Sequence, residues 1–246
     1  MLPASSREVP DPHEKRPSVE FSSGADESGM LARLYANRFD PGERTAKSRM
    51  WSVLVRRFLQ RYVPQNATIV DVAGGYGEFA RHVRAARKIV LDANPDAHDH
   101  IAHDVEVRTA DARRLEAQHD LLGTVDIVFV SNFFEHLDSG ADFLRVLAGC
   151  RALLKPGGAI LILQPNFRYC YREYYDFLDH SLPVTDRSMR EALVTVGFVV
   201  DELVPRFLPF TTKGRPASPR LLDIYLKLPV LWRIFGAQMF VRAHAP

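Results

Sequence analysis

The sequence is poor in cysteine. Cys150 and Cys170 are its only two in 246 residues. They have no metal-type spacing and are too few for a disulfide framework, so a reducing compartment and no metal site are expected. No apolar run approaches the roughly 18 residues that cross a membrane. Residues 1–28, rich in Pro, Ser and charge, lack the apolar core of a signal peptide. They read as a disordered tail on a cytoplasmic protein. Strong charge is missing too: a net +2 does not point to nucleic acid. There is no internal repeat and no low-complexity core.

What remains is the composition of a soluble enzyme, 46% apolar and 25% charged. The length suits one sizeable domain, alone or with a small cap. The charge is uneven. From Pro205 to Pro246 seven basic residues (Arg206, Lys213, Arg215, Arg220, Lys227, Arg233, Arg242) face one acid, Asp223. Such an end can steer an anionic substrate or rest on an anionic surface.

Residues 31–63 read as helices, and Trp51, Leu54, Val55, Phe58, Leu59 and Tyr62 recur at steps of three and four to form one apolar stripe. Pro64 ends it. Short apolar runs then alternate with helical segments. Strands are expected at 67–72, 88–93, 105–109, 125–131, 159–164, 197–204 and 236–245, and helices at 77–86, 141–154 and 186–196. Lys155-Pro-Gly-Gly158 breaks the second of these helices. The central strands are nearly continuous apolar runs, as in a parallel sheet covered on both faces. The alternation predicts a doubly wound α/β domain. The organisation expected is a tail over 1–28, an N-terminal helical cap over 29–64, and a core over 65–246 with an insertion at about 205–236.

The densest signal is Thr68-Ile-Val-Asp-Val-Ala-Gly-Gly-Tyr-Gly77, an apolar run ending in an acid and a glycine cluster. A P-loop needs a lysine and a hydroxyl after its glycines, and neither is there. Gly75-Tyr76-Gly77-Glu78-Phe79-Ala80 satisfies the dinucleotide pattern, with Asp92 at a fitting distance. The third reading is S-adenosylmethionine (SAM). Asp71 before the glycines would balance the ammonium of SAM, whereas it would oppose a pyrophosphate. Asp92, next to Ala93, suits vicinal ribose hydroxyls in either cofactor. Asp111 could accept from an adenine amino group, with Ala110 or Ala112 flanking the ring.

The chain resembles the class I SAM-dependent methyltransferases. The resemblance rests on Asp71-Val-Ala-Gly-Gly-Tyr-Gly77, Asp92, Ala110-Asp111-Ala112, Ser131-Asn-Phe-Phe-Glu-His-Leu137 and Leu154-Lys-Pro-Gly-Gly158, in that order. It covers roughly residues 67–204 and implies a Rossmann-like seven-stranded sheet, mostly parallel with an antiparallel last strand. It also implies a SAM site of Asp71, Gly75 and Gly77 at the methionine part, Asp92 at the ribose and Asp111 at the adenine. Ala73, Ala93, Ala112, Ser131 and Asn132 complete the expected lining. Ala73 departs from the family's usual glycine, a loss that Gly74 could offset. Tyr35, Arg38 and Phe39, with Trp51 and Arg61-Tyr-Val63, resemble methyltransferases associated with glycan or other secondary biosynthesis. That likeness implies a cap over the SAM pocket lined by Tyr35 and Arg38; Tyr35 and Phe39 could equally pack the cap on the core.

Methyl transfer needs alignment above all, and a base where the acceptor is an alcohol. His136 and His180 are the candidate bases, the second beside Asp176 and Asp179. Packing or a loop-anchoring hydrogen bond is the plainer role for each. Tyr169, Tyr171, Tyr174 and Tyr175 could stack on a ring or pack a lid. The insertion mixes Phe207, Leu208, Phe210, Leu228, Leu231 and Trp232 with basic residues. That mixture suits a lid, a dimer contact, or peripheral contact with a membrane and a lipid-linked acceptor. The function expected is methyl transfer to a small-molecule or glycan-type acceptor at oxygen. An NAD(P)-dependent oxidoreductase and a non-catalytic SAM-binding protein are the alternatives.

Overall fold

The computed structural model describes residues 41–246 apart from 96, 98, 99 and 211–217. The chain divides into two compact units, residues 1–45 and 46–246. Of the first, the described part is Pro41–Thr45, which opens helix α1 (Pro41–Arg57). The expected tail, and Tyr35 and Arg38 of the expected cap, lie outside the described residues.

Seven strands form one sheet: β1 Thr68–Val72, β2 Arg87–Asp92, β3 Glu106–Thr109, β4 Val125–Ser131, β5 Leu154–Pro165, β6 Val199–Val204 and β7 Gln238–His244, in the order β3-β2-β1-β4-β5-β7-β6. Pairing is parallel from β3 through β5. β7 inserts antiparallel between β5 and β6, as the resemblance implied. The chain starts at the centre, winds out to β3, then returns to β4. Connections therefore leave β1 and β4 in opposite directions, which opens a crevice at their carboxyl ends.

Period-two alternation assigns each strand residue to one of two apolar layers. Val70, Val72, Ile89, Leu91, Val128, Val130, Ile160 and Ile162 face one layer. That layer is covered by α3 (Gly140–Leu153) and, after the short α4 (Phe167–Cys170), by α5 (Asp186–Thr195), through Val146, Leu147, Met189 and Leu193. Ile69, Val90, Ile127, Phe129, Leu161 and Phe240 face the other, with α1 and α2 (Glu78–His82). The stripe over α1 and the short 3-10 helix after it (Leu59–Tyr62) does what its spacing implied: Val55, Phe58 and Leu59 are buried, and the Phe58 ring lies 4.2 Å from Phe207 and 4.8 Å from Phe240. Burying a side chain of that size contributes about 1.5–3 kcal/mol.

Two elements differ from expectation. Helix α2 stops at His82 instead of reaching Ala86. The Arg84 amide donates to Gln60 Oε1, and the Ala86 and Arg87 amides donate to the Ala67 carbonyl, which pulls the chain straight into β2. Strand β5 begins at Leu154, directly after α3, because Leu154 pairs with Val125 before the ladder shifts register. Lys155 forms an ion pair with Asp126, and the Gly157 amide donates to Ala245. The Lys-Pro-Gly-Gly motif thus ties down the strand ends remote from the crevice.

Candidate active site

The cofactor end is a turn of backbone over two carboxylates. Ala73 and Asn132 are the two non-glycine residues with positive φ among the described residues, at 53° and 47°. They follow β1 and β4, the strands flanking the crevice, and left-handed conformations of this kind gather at functional sites. Gly74 does not offset Ala73 by taking over its conformation: Ala73 makes the left-handed turn itself. Gly74 is needed for space, since a Cβ there would stand 2.9 Å from Asp71 Cγ and 2.9 Å from Val90 Cγ1. Gly75 and Gly77 follow with φ of 53° and 67°, which only glycine adopts freely.

Beneath this turn Asp71 is buried. Burial raises its pKa well above the carboxylate range, the charge of Asp92 raises it further, and a hydrogen bond from the Ala80 backbone opposes both. Asp92 closes the loop: its Oδ2 accepts from the Gly75 amide at 2.7 Å and its Oδ1 from the Asn94 amide at 2.8 Å. Each oxygen keeps a lone pair, the pattern a vicinal diol requires. Asp111 is partly exposed, and its carboxylate accepts from the amide of Arg113 at 2.9 Å and from its Nε at 3.0 Å. The side-chain hydrogen bond to Arg113 holds Asp111 below the usual carboxylate range. Ala112 is buried, while Ser131 ends β4 half-buried and leads into Asn132, whose amide donates to Leu163. Sequence reasoning missed a second polar group by the loop. Lys47 and Ser48 on α1 adjoin Glu78 and His82 on α2, with Ser48 Oγ 2.9 Å from His82 Nε2. Burial lowers the Lys47 pKa and the Glu78 charge opposes that shift. The i, i+4 spacing of Glu78 and His82 was the available signal.

The acceptor end is made of side chains. His136 and His180, predicted as alternatives 44 positions apart, stand together with ring centroids 5.3 Å apart. Glu135 holds them there through its backbone, whose carbonyl accepts from the Ser181 amide at 2.8 Å and from the Leu182 amide at 3.1 Å. Its side chain is buried, and Oε2 accepts from Gln164 Nε2 at 2.9 Å. Burial pushes the Glu135 pKa up, against the charge of His136. His136 Nδ1 lies 3.0 Å from the Asp179 carbonyl and 3.2 Å from its Oδ2. A carbonyl only accepts, so in the neutral imidazole Nδ1 carries the proton and Nε2 the lone pair. His180 is packed by Tyr174, Phe177 and Phe210, the Phe177 ring stacking at 4.9 Å. The tyrosines divide: Tyr174 is buried and donates to Leu182 O, whereas Tyr169, Tyr171 and Tyr175 are exposed. Cys150 and Cys170 are buried, and burial pushes both thiols up to about 12, which leaves them inert at neutral pH.

The residues present fit SAM. The acid beneath the loop and the acid in the first turn of α2 oppose a pyrophosphate, and the doubly accepting Asp92 suits a ribose. With the antiparallel seventh strand, fold and crevice define the class: a SAM-dependent methyltransferase of class I architecture. Residues 44–203, well over half of the chain, match the family described as "Methyltransferase domain", and the chain belongs to that family. The oxidoreductase alternative ends there. Among solved structures the chain is similar to a SAM-dependent methyltransferase from Archaeoglobus fulgidus (23% identity, 78% of this chain and 92% of that one, TM-score 0.57). It is also similar to one from Mesorhizobium loti (17%, 76% and 95%, TM-score 0.54). A third, from Thermotoga maritima, is described as a possible histamine N-methyltransferase (15%, 83% and 94%, TM-score 0.59). At these identities the likeness carries the fold and not the acceptor. No curated protein matches the sequence.

Proposed function

We propose that this methyltransferase methylates an oxygen of a small-molecule or glycan-type acceptor bound over Glu135, His136 and His180. The convergence of the two histidines beside the crevice carries this reading. SAM supplies an electrophilic methyl group. Asp71 would face its ammonium, Asp92 its ribose, and Asp111 its adenine once released from Arg113. The protein's remaining task is to orient a hydroxyl and receive its proton. His136 is prepared for that: Asp179 fixes its tautomer and leaves Nε2 as the acceptor. Aromatic rings pack on His180 and hold it in place, and the exposed Tyr169, Tyr171 and Tyr175 offer faces for a sugar or aromatic ring. Isotope-labelled SAM incubated with metabolite fractions, followed by mass spectrometry, tests the reading. Label in an ether or ester bond supports it. SAM binding with no labelled product in any fraction sinks it in favour of a non-catalytic protein.

A second observation bears on where the acceptor resides. No helix is long and apolar enough to cross a membrane among the described residues. Yet α6 (Pro219–Lys227) and α7 (Pro229–Phe235) expose Leu221, Ile224, Val230, Ile234 and Phe235 beside exposed Arg220, Lys227 and Arg233. We infer peripheral docking on an anionic bilayer, which would bring the enzyme to a lipid-linked acceptor. Binding to anionic vesicles should weaken steeply as salt rises; absence of binding even at low salt removes this part of the reading.

A further inference from the structure

We propose that Glu135, His136 and His180 form a binding site for a divalent transition-metal ion, of which zinc is the best match. One donor atom from each side chain lies within 4.8 Å of the other two. Donors around a tetrahedral ion bound at about 2.0–2.2 Å stand roughly 3.4 Å apart, so from within 4.8 Å the widest pair closes by up to about 1.4 Å, within reach of side-chain rotations. Two imidazoles and one carboxylate are the donor set of zinc and iron sites, not of magnesium or calcium, which take oxygen ligands.

The surroundings are those of a built site. Metal-binding histidines generally donate their other ring nitrogen to a carbonyl or carboxylate, and ligand carboxylates are themselves hydrogen-bonded. His136 Nδ1 is committed to both oxygens that Asp179 offers, which leaves Nε2 for an ion. Glu135 Oε2 is held by Gln164, which leaves Oε1. Gln164 is itself fully buried, and its Oε1 has no hydrogen-bond partner among the described residues. His180 is clamped by aromatic rings, and the backbone of 181–182 is tied to Glu135. Three protein ligands leave a coordination position open, the arrangement of a catalytic ion rather than a structural one. Toward the acceptor the inference rests on the oxygen reading above: a hydroxyl in the open position is acidified by the ion, and its proton passes to solvent water. The two imidazoles then hold the ion, and the ion lowers the pKa of the bound hydroxyl so that no side-chain base is required. Metal binding stands independently of that reading.

The test is calorimetric titration of the full-length, metal-stripped chain with Zn2+, together with the visible absorption of the Co2+-loaded protein. One ion per chain and an intense four- or five-coordinate Co2+ spectrum are expected. His136→Ala and His180→Ala should each abolish both signals, and Asp179→Asn should weaken Zn2+ binding about 10–100-fold. SAM affinity, measured on each variant, reports whether it is folded. Lack of saturable one-to-one binding by the wild-type chain overturns the proposal. So does binding that survives both histidine substitutions in folded protein, which would place the ion elsewhere in the chain. None of these outcomes depends on the acceptor, so failure of the oxygen reading leaves them intact.

Discussion

At the β1–β2 end of the crevice the chain presents mainly backbone. Ala73, Gly75 and Gly77 set the path by their left-handed conformations, and Asp92 pins it through the amides of Gly75 and Asn94. At the β4–β5 end it presents side chains, drawn from Glu135–His136, Gln164 and Asp179–His180. The first end is assembled within about one strand–turn–strand unit; the second exists only once segments some 30 to 44 positions apart have docked. The difference implies that cofactor affinity and turnover can be separated by mutation. The largest expected effect follows. His136→Ala and His180→Ala should each lower kcat/KM by at least about 100-fold, the range for loss of a positioned proton acceptor, while SAM affinity changes less than about twofold. A parallel loss of SAM binding would join the two ends into one site and break the comparison.

Asp92→Ala attacks the other end. It removes the diol acceptor and frees two backbone amides, so SAM affinity should fall about 10–100-fold, and stability should fall by about 1–3 kcal/mol. Calorimetry and urea unfolding measure the two losses separately. Unchanged SAM affinity in a folded variant would refute the ribose assignment. Asp92→Asn sharpens the point, because its single side-chain oxygen can hold one amide but not both.

Asp71 is a subtler case. Its folded pKa lies above its unfolded value, chiefly through burial. An acid of this kind adds stability that is complete below the unfolded pKa of about 3.9 and is lost as pH rises through the folded value. Wild-type stability should therefore decline with rising pH above about 4 relative to Asp71→Asn, which removes the ionisation and keeps an acceptor for Ala80. Urea midpoints across this range check it; parallel curves for the two proteins would show that Asp71 titrates normally. The same substitution should weaken SAM binding, since a bound ammonium would favour the charged form of the Asp71 carboxyl and an amide cannot ionise.

The contrast between the ends also explains what was legible in the sequence. The seven strands were, the central ones because each is a short apolar run, and the more polar β3 and β6 because they alternate with helical segments in the same rhythm. Asp71, Asp92 and the glycines were, because backbone cradles are written in contiguous motifs. The acceptor end was only half legible. His136 and His180 could be named by chemistry, but their partnership could not, since it depends on two amides of the 181–182 turn meeting the Glu135 carbonyl. Nothing in sequence spacing shows that. Glu135 stood in a recognised motif without a role, because sequence does not show that this acid is 1% exposed with Gln164 as its partner. Helix α2 was overextended because side-chain pattern cannot show that Gln60, 24 positions earlier, claims the Arg84 backbone.

The smallest expected effect compares the two strained residues directly. Ala73 and Asn132 hold nearly the same left-handed conformation, at 53° and 47°. For alanine that conformation costs about 1–2 kcal/mol, while asparagine tolerates it through local hydrogen bonding. Glycine removes the strain but adds about 0.4–1 kcal/mol of unfolded-chain entropy. Ala73→Gly should therefore gain between about 0 and 1.6 kcal/mol, and Asn132→Gly should gain nothing or lose slightly. Urea unfolding of the two variants decides it. Equal gains would mean that the strain belongs to the crevice as a whole. A gain at Ala73 alone would show that the chain keeps a destabilising residue where its family usually has glycine. If SAM affinity then falls in Ala73→Gly despite the higher stability, the rigidity of alanine at this turn helps hold the cofactor loop in its binding shape.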